Sequence, residues 1–305
     1  MTTSEQPMVP AAEFRSYYGR PVVKDPVWKW DIPAYFVTGG VMAGSSLLAA
    51  GADLTGNRAL RRAARLAAAA HLGASTYFLI HDLGRRGRFL NMLRVFKPTS
   101  PMSLGTWLLA AYGPAAGLAA ASEVSGRVPA VGRAAGLTAG ALAPAVASYT
   151  AVLIADTAVP AWHDAYRQLP FVFSGSAAAA AGGLAITLVR PDAAGPARRL
   201  AAIGAAVDLA ATAWMERSGA LSGEPYRSGR PGRLGRWARW LTAGGAAAGA
   251  VLGRRSRMAA LASGAVLVAG SACTRFAVYE AGVHSARDPK YTIVPQRARV
   301  GGGGR

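Results

Sequence analysis

Long apolar runs separated by short, arginine-rich connectors constrain this chain more than any other feature. A bilayer core takes about 20 apolar residues of helix. Eight stretches approach that length: 32–52, 66–80, 104–122, 134–155, 169–189, 200–215, 238–253 and 258–279. The charge sits between them in clusters: Arg58/Arg61/Arg62/Arg65, Arg85/Arg86/Arg88/Arg94/Lys97, Arg227/Arg230/Arg233/Arg236/Arg239 and Arg254/Arg255/Arg257. That separation is how a net charge of +19 coexists with a mean hydropathy of +0.22. It predicts an all-α, polytopic transmembrane bundle of about eight helices. Residues 1–31 read as a polar N-terminal arm, 32–280 as the membrane domain and 281–305 as a polar tail. The second, sixth and seventh runs are short or alanine-rich, so seven spans is the alternative count.

The same arithmetic excludes several function classes. With 52% apolar residues the chain is not a disordered basic tail, and no nucleic-acid partner is expected. A lone cysteine, Cys273, excludes a disulfide scaffold and a Cys-rich metal site. Metal-ligand spacings, G-x-S-x-G and Walker-type loops are all absent, so no bound metal is expected. A membrane haem needs two histidines at depth. Of His71, His81, His163 and His284, only His71 lies well inside a run, so no haem is expected. Any redox work must therefore draw its electrons from a partner.

Orientation follows the bias of Lys and Arg toward the cytoplasm. With eight spans, 21 of the 34 Lys and Arg fall on the side of the termini and 12 on the other. Both termini are expected in the cytoplasm, with the chain in the plasma membrane. Trp28 and Trp30, just ahead of the first run, suit an interfacial aromatic belt; a soluble binding arm that also carries Tyr17 and Tyr18 is the alternative.

Ionisable groups inside a membrane are costly and usually functional. On the second run His71, Ser75, Phe78 and Asp82 share one helical face, a stripe able to carry protons. The alternative is that His71 bonds a neighbouring helix and Asp82 caps the end. On the fourth run Tyr149 and Asp156 share a face between Pro144 and Pro160; a quinone carbonyl and a protein carbonyl are equal candidates for the Tyr149 hydroxyl. Asp208, and Arg275 with Glu280, are the remaining charges at depth or at the membrane edge: Asp208 is a further proton-transfer candidate, and Arg275 is a candidate ion-pair partner of Asp208 or Glu280. Gly40 and Gly44 read as a small-residue packing seam. The connector holding Arg85, Arg88, Phe89, Arg94 and Lys97 mixes cations, aromatics and prolines. That mixture points to an ordered docking surface, with contact to anionic membrane lipid as the alternative.

One segment, IHDLGRRGRFLNMLRVFKPTSPMSLGTW (80–107), resembles the second-to-third-helix signature of the NrfD-like, polysulfide reductase membrane subunit family. YFVTGGVMAGS (35–45), SYTAVLIADTAVPAWHDA (148–165) and FAVYEAGVHSARDPKYTIVPQR (276–297) agree with it, in order along the chain. The resemblance implies eight membrane helices, no haem and a pocket for a quinone, menaquinone or ubiquinone. It also implies docking to a four-cluster iron–sulfur subunit serving a molybdopterin catalytic subunit, formate dehydrogenase-like or polysulfide reductase-like. A fourth-helix tyrosine is associated with the quinone in that family, and Tyr149 occupies a comparable place. Ala151 stands where the family often has glycine, which narrows the pocket. His71 as a second quinone contact rests on the helical-face reading alone. In this reading Tyr149 and His71 contact the quinone; Asp82, Asp156 and Asp208 move protons; Arg85, Arg88, Phe89, Arg94 and Lys97 dock the partner. A membrane anchor without a quinone site and a transporter or channel are the competing classes; the inverted repeats of a transporter are not evident.

Overall fold

A computed structural model describes residues 22–85, 87–218 and 221–302. Tyr17, Tyr18 and Arg86 lie outside the described residues. Among the described residues every regular element is helical. Eight helices are 20 to 31 residues long: α1 (Asp31–Leu54), α2 (Arg58–Asp82), α4 (Pro101–Ser125), α5 (Pro129–Ala155), α7 (Leu169–Leu188), α8 (Gly195–Ser218), α10 (Gly229–Val251) and α11 (Arg257–Arg287). Four shorter ones are α3 (Arg88–Asn91), α6 (Pro160–Asp164), α9 (Glu224–Arg227) and α12 (Lys290–Gly302). The polytopic helical bundle read from the sequence is the fold.

Five of the long helices, α1, α4, α5, α7 and α11, are long and apolar enough to cross a membrane by themselves. The other three, α2, α8 and α10, are those whose apolar runs are weakest in the sequence. Each opens with arginines, as in RALRRAAR of α2 and GRPGRLGRWAR of α10. These helices run past their apolar segments, so polar first turns and apolar later turns share one rod.

The long helices alternate in direction and form two four-helix halves. One comprises α1, α2, α4 and α5; the other α7, α8, α10 and α11, with α1 packed on α7 at the join. Helices in lipid gain little from apolar burial, so close approach of small residues must hold them. A Cβ on Gly44 would lie 2.6 Å from the Ala181 Cβ and 2.8 Å from the Ala177 carbonyl oxygen, which makes the predicted seam the α1–α7 contact. Gly175 and Gly204 do the same for α7 and α8, where an added Cβ on Gly204 would lie 2.4 Å from the Ala179 nitrogen.

The two ends of the bundle differ. At the turn end the connectors are short. Asn57 caps α2 by accepting from the Leu60 N–H at 3.1 Å, and its amide donates to the Ala193 carbonyl at 2.9 Å, tying two turns together. The Arg257 guanidinium covers the carbonyls of Ile186, Thr187 and Val189 at the end of α7. At the arm end, residues 22–30, the 83–100 connector, α6, α9 and α12 form a cap. Trp162 of α6 is fully buried, stacks on Trp28 at 5.9 Å and donates its indole N–H to the Val278 carbonyl. The Tyr279 hydroxyl donates to the Trp28 carbonyl. The segment after 280 joins this cap: α11 continues to Arg287, and Lys290 of α12 reaches Glu224 at 2.9 Å.

Candidate functional site

Between α2 and α4, near the arm end, lies a cavity of about 360 Å³. Leu72, Ser75, Thr76 and Leu79 of α2 face Thr106, Leu109, Ala110, Gly113 and Pro114 of α4 across it. Tyr35 of α1 forms its inner wall, and Phe89, Met92 and Leu93 around α3 roof it. Pro114 is exposed, so the cavity reaches the surface between two helices. The lining is apolar with a few convergent hydroxyls, the usual composition of a small-molecule site.

Those hydroxyls are not equally available. Ser75 donates to Thr38 at 2.8 Å, and Thr38 in turn to carbonyls of its own helix. Thr106 donates to the Met102 carbonyl at 2.9 Å. The Tyr35 hydroxyl is buried and has no partner among the described residues. A buried phenol left unpaired costs on the order of 1–3 kcal/mol, so its O–H is a donor awaiting an acceptor.

One helical turn from Tyr35, at i−4 on the same face, is Asp31. It is the first residue of α1 rather than the last of the arm, and it is fully buried. Its Oδ1 lies 2.9 Å from the His81 Nδ1, and its Oδ2 has no partner among the described residues. The His81 side chain is 50% exposed, so it links a buried carboxyl to the surface. Sequence reasoning missed both. Tyr35 sits in an apolar helix and reads as core. Asp31 sits at the seam of arm and helix, where acidic residues usually face solvent.

The sequence-selected residues are spread around this site. Tyr149 is not in the cavity lining; its ring packs on α4 at Gly105, where an added Cβ would meet its Cε2 at 2.4 Å. His71 also lies off the lining and holds its own Ala67 carbonyl through Nδ1 at 2.9 Å. Asp82 accepts from the Lys29 N–H at 3.4 Å beside Asp31. Asp156 is exposed at the end of α5 and lines a separate arm-end cavity with His163, Asp164, Tyr291 and Arg299. Asp208 is buried in the other four-helix half. On the connector, Arg85, Arg88, Arg94 and Lys97 are exposed beside exposed Leu90, Val95 and Phe96. Phe89 turns inward and forms part of the cavity roof. The connector is ordered: Ser103 and the Trp107 indole both donate to the Val95 carbonyl, at 3.2 Å each.

The family described as polysulphide reductase, NrfD, matches residues 21–205, which hold the whole cavity, its roof and the Asp31–His81 pair. The chain belongs to the NrfD polysulphide reductase family. Membership makes it a membrane subunit of a molybdoenzyme-type oxidoreductase complex, and so a protein that works with a partner. No curated protein matches the chain. Within this NrfD protein the matched region ends inside α8, before Asp208 and Arg275.

Proposed function

We propose that this NrfD subunit exchanges electrons and protons between a membrane quinone and a docked four-cluster iron–sulfur subunit of a molybdopterin oxidoreductase. The observation that carries the reading is the α2–α4 cavity, open to the surface between two helices and holding one buried phenol without a partner among the described residues. A quinone headgroup is a flat apolar ring with carbonyl acceptors, so it fits an apolar slot with an idle donor. Menaquinone and ubiquinone share that chemistry. When bound, the quinone supplies two-electron, two-proton chemistry.

The protein's part is positioning and proton supply. Tyr35 holds a carbonyl by donating its hydroxyl. Asp31, one turn away with a free Oδ2, is placed to pass a proton toward Tyr35, and His81 replenishes it from the surface. Asp82 stands beside this pair and adds a second carboxyl at the membrane edge. Tyr149 supports the α4 wall from behind through Gly105. Arg85, Arg88, Arg94 and Lys97 hold the iron–sulfur subunit. Its electrons then arrive at the end of the bundle where the cavity lies. On the charge bias this end is cytoplasmic and the membrane is the plasma membrane.

The deciding experiment compares Tyr35→Phe with wild type in the purified complex. Losing one hydrogen bond of about 1–2 kcal/mol should weaken a quinone-analogue inhibitor roughly 5- to 30-fold. Partner activity with a soluble artificial electron acceptor should be unchanged. Wild-type inhibitor affinity in Tyr35→Phe would remove the cavity from consideration. Reporter fusions at Lys97 and Asp192 test the orientation: the first should read as cytoplasmic and the second as external.

A further inference from the structure

The second four-helix half holds two opposite charges that do not touch. Asp208 of α8 is 2% exposed and Arg275 of α11 is 1% exposed. Arg275 donates one Nη to the Phe173 carbonyl, and its guanidinium lies 4.0 Å from the Phe173 ring centroid. Its Nε and other Nη have no partner among the described residues. None of its nitrogens therefore bonds Asp208. Among the described residues the Asp208 carboxyl has two long contacts, from Thr212 and Thr274 at 3.4 Å each. Thr274 also donates to the Gly270 carbonyl at 3.2 Å, so its single proton is shared. An ionised carboxylate at this depth normally demands a closer partner.

A small cavity of about 20 Å³ adjoins the carboxyl, room for a single water. Asp208, Thr212 and Thr274 line it together with Glu216, Tyr226 and Arg239. Asp208, Thr212 and Glu216 recur every four residues and so form one face of α8. Glu216 lies in the last turn of α8, at the arm end, and is paired with Arg239, whose side chain is 38% exposed. Access is one-sided. Toward α7 the backbone closes the site, since a Cβ on Gly175 would lie 2.5 Å from the Asp208 nitrogen. The groups facing Asp208 are thus Thr212 and Glu216 on its own helix, Thr274 and Arg275 on α11, Arg239 on α10 and Tyr226 on α9; α7 offers no titratable group there.

We propose that Asp208 is an internal proton-binding site, loaded from the arm end through Glu216 and one water held between Thr212 and Thr274. Glu216 takes a proton from solvent and releases it to the water. The water passes a proton to an Asp208 oxygen, and Glu216 returns to its pairing with Arg239. The site stands apart from the α2–α4 cavity and needs no quinone to operate.

The test uses the purified complex in lipid nanodiscs, without quinone or reductant. Infrared spectroscopy should find a protonated-carboxyl carbonyl band that vanishes as pH rises over the range in which the protein stays folded. Asp208→Asn should remove that band, and Asp208→Glu should shift it. Glu216→Gln should keep the band but slow its hydrogen–deuterium exchange at least about tenfold, as loss of a proton relay does. Thr212→Val should slow it as well, so the route remains testable if Asp208→Asn fails to fold. A wild-type spectrum without such a band, a band that survives Asp208→Asn, or wild-type exchange in both Glu216→Gln and Thr212→Val would overturn the proposal.

Discussion

The two ends of the bundle solve the same problem, closing a set of helices, with different chemistry. At the turn end two arginines of α2 are turned inward. Arg61 and Arg65 grip Glu123 at 3.1 and 2.9 Å, and both also reach Asp53, at 3.2 and 3.5 Å. Arg133 joins Asp53 from α5 at 3.6 Å. At the arm end closure is by aromatic rings and carbonyls: Trp162 on Val278, Tyr279 on Trp28, Tyr226 on Ala161. No Trp, Tyr or Phe lies beyond the midpoint of any long helix toward the turn end. The lesson is about free charge. Where uncharged groups do the closing, the cations stay exposed, as Arg85, Arg88, Arg94 and Lys97 do. Where cations do the closing, as Arg61 and Arg65 do, those cations are tied up, while Arg58, Arg62, Arg254 and Arg255 at the same end stay exposed.

The largest effect comes from breaking the inward ion cluster. The side chains of Arg65, Asp53 and Glu123 are 6%, 7% and 8% exposed. Removing Arg65 takes away the most buried cation and leaves Glu123 to Arg61 and Asp53 to Arg61 and Arg133, a loss on the order of 2 kcal/mol or more. Arg65→Met should lower the thermal midpoint of the purified protein by several degrees. Arg88→Met at the arm end should leave it unchanged within about 0.5 kcal/mol, as exposed substitutions do. Equal midpoints for the two variants would dissolve the contrast.

Next in size is the aromatic closure. Trp162→Phe keeps most of the buried ring but loses the 2.8 Å bond to the Val278 carbonyl. The cost should be about 1–2 kcal/mol. Gly282→Ala attacks the same contact from the other side, because its Cβ would fall 1.9 Å from the indole. Both should loosen the cap, read as faster proteolysis within 83–100 and 155–169, and leave the turn end protected. Cleavage spreading to residues 189–194 at the same rate would mean the ends are not separate units.

How much of this was legible in the sequence follows from the same contrast. The eight helices were readable because lipid demands long apolar runs; only their polar first turns, as in α2, escaped. The Gly40–Gly44 seam was readable because close packing leaves small residues in register. The functional site was readable only by region. The connector from Arg85 to Lys97 lies over the cavity, yet Phe89 turns inward, which no periodicity in a four-residue helix reveals. Tyr35 and Asp31 become candidates only when one sees which buried polar atoms lack a partner, a property of three helices at once. His71 and Asp82 share a face with Ser75, but in a rod that face is wide. The cavity takes the Leu72, Ser75 and Leu79 side of it and leaves His71 on its own helix carbonyl.

A smaller effect should come from the exposed arm-end charge. Arg88→Glu and Arg94→Glu should leave folding intact and weaken capture of the proposed iron–sulfur subunit about tenfold each, or about 1.4 kcal/mol. Raising the salt should reduce the difference between variant and wild type, because exposed charges are screened. The matched substitution at the turn end, Arg254→Glu, should leave capture untouched. Full capture by both arm-end variants, with weaker binding to vesicles of anionic lipid, would assign this surface to membrane contact instead.

The smallest effect separates the two tyrosines near the cavity. Both sit on apolar helices toward the arm end, and the sequence favours Tyr149. Their surroundings differ in one respect. The Tyr35 hydroxyl is buried in the cavity wall without a partner among the described residues, whereas the Tyr149 ring is pressed against Gly105 behind that wall. What Tyr149 contributes is therefore the shape of its ring, which phenylalanine reproduces. Tyr149→Phe should change quinone-analogue affinity less than about threefold, under 0.7 kcal/mol. Gly105→Ala, which drives a methyl into that ring, should cost more than Tyr149→Phe although it removes no polar group. If Tyr149→Phe instead loses as much affinity as Tyr35→Phe, the phenol of α5 reaches the ligand directly, and the wall between them opens when the site is occupied.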